Sequence, residues 1–544
     1  MRQILRTLAL VVLVWPTAIA VAQTTTPTGR PSRTALQAHQ NFLADDFLKG
    51  RDTGSPEYEI AARYVAAQFQ SSGLKPAGDD NSFLQAVPLR RTRLDVDSAR
   101  VDIRNGDSPT ELEWKQDFLM GGDAERQEVS ITAPVVFVGH GVSAPDQGYD
   151  DYANVDVEGK IVLWISGAPS SFPSTERAYY SEGTVKTEDA VERGAVGILS
   201  FSTAEMAERY PWERITKNAD SPGYRWLDED QIPSSYYPQI QGSAYLSHEA
   251  AAKLLTDSGR TLDEILEADA ENRLESFDLG VEVTIARRTS YEGLTAPNVA
   301  ALLPGGDAKL RKEYVVYTAH LDHEGIGEPE EGDAIYNGAY DNAMGIALLI
   351  EIARLFAAAP EPPKRSILFL AVTAEEKGLL GAEYFVHNPT VPLESIVANV
   401  NFDMPLFLYP IADVTAFGAE HSSLAAPVAA AAKAAGFEVT PDPMPEEALF
   451  IRSDQYPFVQ MGIPSLYFVP GMQSTDASVD GRAITMDFLT NHYHTPSDDL
   501  SLPIDWESAE KFALANYLLG LKIANDWRRP TWNEGDFFGK RFGR

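Results

Sequence analysis

Three short runs, Tyr314–Ala319, Ser366–Thr373 and Ile396–Phe402, are nearly unbroken in apolar residues, and each leads within two residues into an acid or an imidazole. Their length and β-branched content suit strands, and a strand apolar on both sides is one covered on both faces, as in parallel sheets. Between the first two, Ala343 to Ala358 carries a broad apolar helical face of Ile346, Leu349, Ile350, Ala353 and Phe356, closed by Pro360. Ser465–Val469 reads as another strand and Trp506–Trp527 as a closing helix. This alternation predicts an α/β, doubly wound, mixed but mostly parallel sheet with helices on both faces. The ligand site of such a sheet lies at the carboxyl ends of its strands.

The chain has 544 residues, too many for one ordinary core. Residues 34–112 read as the start of the main domain, with a helix over 58–74 stopped by Gly73. Residues 113–290 change character: Val135–Gly139, Lys160–Ile165 and Val196–Phe201 are short β-rich runs flanked by turns, with a helical stretch from Thr187 to Arg193. That span is expected to be an inserted β-rich module. The main domain resumes over 291–530, and 531–544 is expected to be a C-terminal tail.

Residues 1–22 have the order of a secretory signal peptide. Arg2 and Arg6 precede an apolar stretch from Leu8 to Val14, and small residues follow at Ala18, Ala20 and Ala22. Trp15-Pro16 leaves the stretch short of the ~20 apolar residues a membrane span needs. Residues 23–33, rich in Thr and Pro, read as a flexible leader. The expectation is an exported protein, periplasmic or extracellular, with no stable membrane anchor. Asp and Glu number 79 against 45 Lys and Arg, a formal charge of −34 that disfavours nucleic acid and anionic lipid as partners. With no cysteine, thiolate chemistry and disulfides are excluded.

The chemistry gathers at the predicted strand ends. His320-Leu321-Asp322-His323 follows the first strand, and in extended backbone positions i and i+2 share a face, so Asp322 is expected to hydrogen-bond the back of the His320 imidazole. Asp341 precedes the Ala343–Ala358 helix. Glu375 and Glu376 are adjacent, so both reach one cleft only from a loop. Asp403 ends the third strand, and His492-Tyr493-His494-Thr495-Pro496-Ser497-Asp498 forms a later polar loop. Five carboxylates meet there, and two of them about 4 Å apart repel by roughly 4 kcal/mol at an effective dielectric near 20. Such a cluster needs cations, and two divalent zinc ions supply enough positive charge.

The series His320-x-Asp322, Asp341-Asn342, Glu375-Glu376, Asn401-Phe402-Asp403-Met404 and Tyr493-His494-Thr495-x-x-Asp498 resembles the di-zinc aminopeptidases of peptidase family M28. The resemblance implies one zinc bound by His320 and Asp403, a second by Glu376 and His494, and Asp341 bridging, with Co²⁺ or Mn²⁺ able to replace Zn²⁺. It further implies Glu375 as general base, Asp322 as the residue orienting His320, and Tyr493 as a donor to the oxyanion. Phe42–Arg51 with Thr53-Gly54-Ser55 is similar to the N-terminal segment of the secreted bacterial branch, and 113–290 to its inserted protease-associated (PA) domain. Met344 and Gln455 depart from the family pattern. The implied activity is zinc-dependent exopeptidase cleavage of N-terminal peptide bonds in peptide substrates. A carboxypeptidase or dipeptidase of the same fold is the near alternative, and a catalytically inactive PA-domain binding protein the distant one. Arg452 is expected in a surface ion pair, and Tyr210 to Tyr237 either as a lip over the cleft or as packing.

Overall fold

In the computed structural model, residues 29–105, 108–256 and 258–544 are described. The expected signal peptide and most of the leader lie outside them. Strand Tyr314–His320 runs parallel to Ser366–Val372 on one side and to Ile396–Asn401 on the other. Ser465–Pro470 adds in parallel beyond Ile396–Asn401, and Asp413–Phe417 and Glu438–Thr440 complete that edge. The chain thus leaves Tyr314–His320 toward one neighbour and later returns to the other. That reversal opens a crevice at its carboxyl end, where His320 lies.

Alternation along the strands feeds two cores. Val315, Tyr317 and Ala319 join a cluster with Ile346 and Phe356 of helix Met344–Ala357, Phe512 of helix Trp506–Asn525, and Leu36 and Phe69 from the N-terminal helices. Val316, Leu368, Leu370 and Val372 face the other way, onto Phe385 and Phe458. Helices therefore cover both faces, as the apolar runs require. Among the described residues, no helix is long and apolar enough to cross a membrane.

Beyond Ser366–Val372 the same sheet continues through Phe277–Leu303, which pairs antiparallel with Leu84–Asn105 and Glu128–Phe137. Ile161–Ile165, Gly197–Phe201 and Gly242–Leu246 follow in parallel. They enclose their own core of Val135, Phe137, Leu163, Phe201 and Leu246. The 27-residue strand Phe277–Leu303 and the 22-residue Leu84–Asn105 run from one core to the other, so the sequence boundaries near 112 and 290 meet a continuous ribbon. The 531–544 segment is folded: its helix Phe537–Phe542 buries Phe538 against Phe450 and Trp532.

Candidate active site

His320, Asp341, Glu375, Glu376, Asp403 and His494 converge in the crevice. Each arrives where regular structure stops. Ala374 turns the chain into the left-handed region (φ 53°) before Glu375, and Met404 (φ 43°) does so after Asp403. His494 itself has φ 56°. Left-handed backbone at non-glycine residues persists only where surrounding structure enforces it. Gly338 (φ 58°) precedes Asp341, and a Cβ there would lie 2.0 Å from the Asp341 carbonyl oxygen, so no side chain fits.

Asp341 sits between the two imidazoles. Its Oδ1 is 3.2 Å from His320 Nε2 and its Oδ2 is 3.2 Å from His494 Nε2. Asp403 Oδ1 is 3.0 Å from His320 Nε2, and Glu376 Oε2 is 3.1 Å from His494 Nε2. Atoms bound about 2.0–2.2 Å from one ion at tetrahedral angles stand about 3.4 Å apart, so these separations suit shared metal ions. Among the described residues, no Lys or Arg forms an ion pair with Asp341, Glu375, Glu376 or Asp403. The donor set of imidazoles and carboxylates is therefore one that divalent metal fits. The site divides in two: His320 with Asp403, and Glu376 with His494, with Asp341 touching both.

Electrostatics bear the same mark. Burial pushes the Asp341 carboxyl up and Glu376 adds to this, yet hydrogen bonds from His320 and His494 outweigh both and hold it at about 2. Burial lowers His320, but the carboxylates of Asp403 and Glu375 more than reverse that and raise it well above its ordinary value. Burial drives Glu375 well above the carboxylate range. Among the described residues its side chain makes no hydrogen bond, and burial gives it a high proton affinity.

One expectation is corrected. The Asp322 carboxylate does not bond the His320 ring. His320 Nδ1 lies 3.2 Å from the Asp322 backbone carbonyl, while Asp322 Oδ1 accepts the Glu375 amide at 3.1 Å and Oδ2 accepts the Thr53 hydroxyl at 3.1 Å. The strand ends at His320, so extended-chain alternation no longer governs Asp322. Asp322 thus positions Glu375, and its carbonyl orients His320. Tyr493 stacks on the His494 ring, centroids 3.8 Å apart, and its hydroxyl makes no hydrogen bond among the described residues.

Several supporting residues were not singled out for these roles. His323 Nδ1 is 2.7 Å from Glu376 Oε1, fixing that carboxylate so that Oε2 faces His494. Ser453 donates to Asp403 Oδ2 at 2.6 Å. Asp498 accepts the amides of Tyr340 and Asp341, both at 2.9 Å. Arg51, fully buried, donates to the carbonyls of Leu43, Leu321, Asn337 and Gly338 and so knots the N-terminal segment to the loops carrying Asp322 and Asp341. Burial lowers it to about 10, against the pull of Asp322 and Asp498. The departures are structural: Gln455 bonds Asn401 and the Phe450 carbonyl, and Met344 is buried. His492 bonds Ser497 outside the cluster.

Beside Tyr493 lies a cavity of about 470 Å³. Met404, Leu406, Met444 and Met486 line its apolar side, and Arg209, Tyr210 and Arg214 of the 113–290 span close it. Arg209, Arg452 and the Tyr210 hydroxyl all engage Glu447. Tyr210 thus forms part of a lip, and Arg452 makes the ion pair expected of it.

Known proteins share sequence and fold with this chain. Residues 298–519 match the model of peptidase family M28. Aminopeptidase YwaD of Bacillus subtilis is 23% identical over 431 residues, which are 77% of this chain and 74% of that protein. A probable zinc metalloprotease of Pyricularia oryzae is 34% identical over 135 residues, 24% of this chain and 26% of that protein. The solved aminopeptidase from Aneurinibacillus sp. strain AM-1 shares the fold, with a TM-score of 0.50 and 18% identity across 92% of this chain and 96% of its own.

Proposed function

We propose that the protein is an exported metallo-aminopeptidase with a co-catalytic pair of zinc ions and Glu375 as its general base. The observation that carries this is Asp341, whose two carboxylate oxygens face two different imidazoles at equal distance. His320 and Asp403 would hold one ion and Glu376 and His494 the other, with Asp341 shared. Bound there, the ions supply Lewis acidity toward the scissile carbonyl and lower the pKa of water toward neutrality. Glu375 removes the proton of the attacking water and returns it to the leaving amine. Asp322 fixes the Glu375 backbone so that its carboxylate stays within reach. The Tyr493 hydroxyl, free of other partners, donates to the oxyanion. The acidic surroundings favour an α-ammonium group over a blocked N-terminus.

A second reading, a carboxypeptidase or dipeptidase, is favoured by one feature. Arg214 lines the cavity beside Tyr493 and has no ion-pair partner among the described residues, so it can receive a carboxylate. Hydrolysis of free, N-acetylated and C-amidated forms of one peptide separates the two. An aminopeptidase cleaves the free and amidated forms and spares the acetylated one. Loss of cleavage on amidation contradicts that reading.

A further inference from the structure

A second cavity, of about 640 Å³, lies where the 113–290 span meets the ribbon of Leu84–Asn105 and Phe277–Leu303, and the proposed catalytic residues take no part in it. In a chain of net charge −34, its wall is cationic. Arg126, Arg225 and Arg287 all line it, against Asp123 and Glu182. Asp123 is already saturated. Its Oδ1 accepts the amides of Glu125 and Arg126, and its Oδ2 lies 3.2 Å from Arg126 and 3.3 Å from Arg287. Glu182 accepts the hydroxyl of Tyr456, and burial pushes it up to about 7, which weakens its charge. Among the described residues Arg225 donates only to the Tyr224 carbonyl and has no ion-pair partner; the Glu383 carboxylate acts on it from beyond ion-pair distance.

Two further features border the cavity. Arg287 and Ser234 are more than nine-tenths buried, and Arg287 Nε and Ser234 Oγ lack a hydrogen-bond partner. Helix Gly183–Glu192 presents Gly183 and Thr184 of its first turn, and Thr187 of its second, to the same cavity, and its N-cap side chain makes no capping bond. Its free N–H groups therefore add positive potential. Tyr236, packed 5.5 Å from the Arg126 guanidinium, and Trp164 supply aromatic walls. Guanidinium forks match carboxylate geometry, and aromatic walls suit an organic body rather than a bare ion.

We infer that this cavity is a binding site for a small aromatic or apolar carboxylate, of acylated amino-acid or short-peptide size, with Arg225 as the principal anion contact. Such a ligand meets Arg225 and the helix terminus with its carboxylate and Tyr236 and Trp164 with its side chain. It is separate from the peptidase site and does not depend on that reading.

The test is calorimetric titration of the full, metal-loaded chain with N-acetyl-L-phenylalanine, repeated with inorganic phosphate. The expected result is binding at one site that Arg225→Gln weakens at least tenfold, while both proteins melt alike. Thr187→Trp, which fills the cavity without touching its charge, is expected to weaken it as much. A peptidase-directed amino-acid hydroxamate is expected to leave binding unaltered. Absence of binding, unchanged affinity in both variants, displacement by the hydroxamate, or tighter binding of phosphate than of the organic acid each overturns the assignment.

Discussion

The Asp322 carboxylate accepts the backbone amide of Glu375 at 3.1 Å, so the residue two places past His320 holds the proposed base. Its second oxygen takes the Thr53 hydroxyl, which ties the N-terminal segment to the same point. Asp322→Ala leaves the Glu375 amide buried without a partner, a loss worth about 1–3 kcal/mol. The expected outcome is a fall in kcat with bound zinc close to that of the native chain. Loss of metal in equal measure would show that Asp322 acts through His320 instead.

Glu375→Gln keeps the shape of the site and removes the proton acceptor. Its kcat on an amino-acid anilide should fall by about 10²–10⁴-fold, a typical contribution of general-base catalysis. Zinc content should be unchanged. Near-normal turnover would remove Glu375 from the mechanism.

Tyr493→Phe tests the oxyanion donor separately. The ring still stacks on His494, so metal binding should persist while kcat drops about 10²-fold. An unchanged kcat would reduce Tyr493 to packing.

The metal-free protein should respond to pH in a defined direction. Despite burial, the surrounding carboxylates raise His320 and His494 well above their ordinary values, so their pairing contributes fully below about pH 6.5 and is lost as pH climbs through the raised values. Burial also raises Glu375, which then costs stability as pH rises past its ordinary range. Asp341, held at about 2, contributes above its unfolded value and fails only in strong acid. After chelation, Tm should therefore fall between pH 6.5 and 9. In the zinc-loaded chain the fall should be smaller, because deprotonated ligands bind metal better. Parallel curves would contradict the convergence of these groups.

Arg51 supplies four buried hydrogen bonds, one to nearby Leu43 and three to residues at least 270 positions away. Arg51→Met should destabilise the chain by about 3–5 kcal/mol, read from denaturant melts. A change below 1 kcal/mol would mean that the loops carrying Asp322 and Asp341 hold their place without it.

The strands were legible because burial on both faces leaves a run that is apolar at every position. Tyr314–His320, Ser366–Val372 and Ile396–Asn401 fall within a residue of the sequence expectation. The cluster was legible because its members sit at the ends of those runs. What escaped was the bonding of the scaffold around it. Arg51, Thr53 and Asp498 stand in the quoted motifs, yet their hydrogen bonds, like that of Ser453, join segments far apart in sequence that no periodicity relates. Asp322 was misread because alternation was carried past the strand end. Likewise, the ribbon from Leu84 to Asn105 and from Phe277 to Leu303 crosses from one core to the other, so its apolar pattern changes partners midway and hides its length.

The most direct test is zinc quantification on the purified chain beside Asp341→Asn. The account predicts two zinc ions per native chain, and fewer than one in the variant, with hydrolysis lost in proportion. A native chain free of stoichiometric metal yet active on peptides, or an Asp341→Asn chain that still binds two ions, would contradict it.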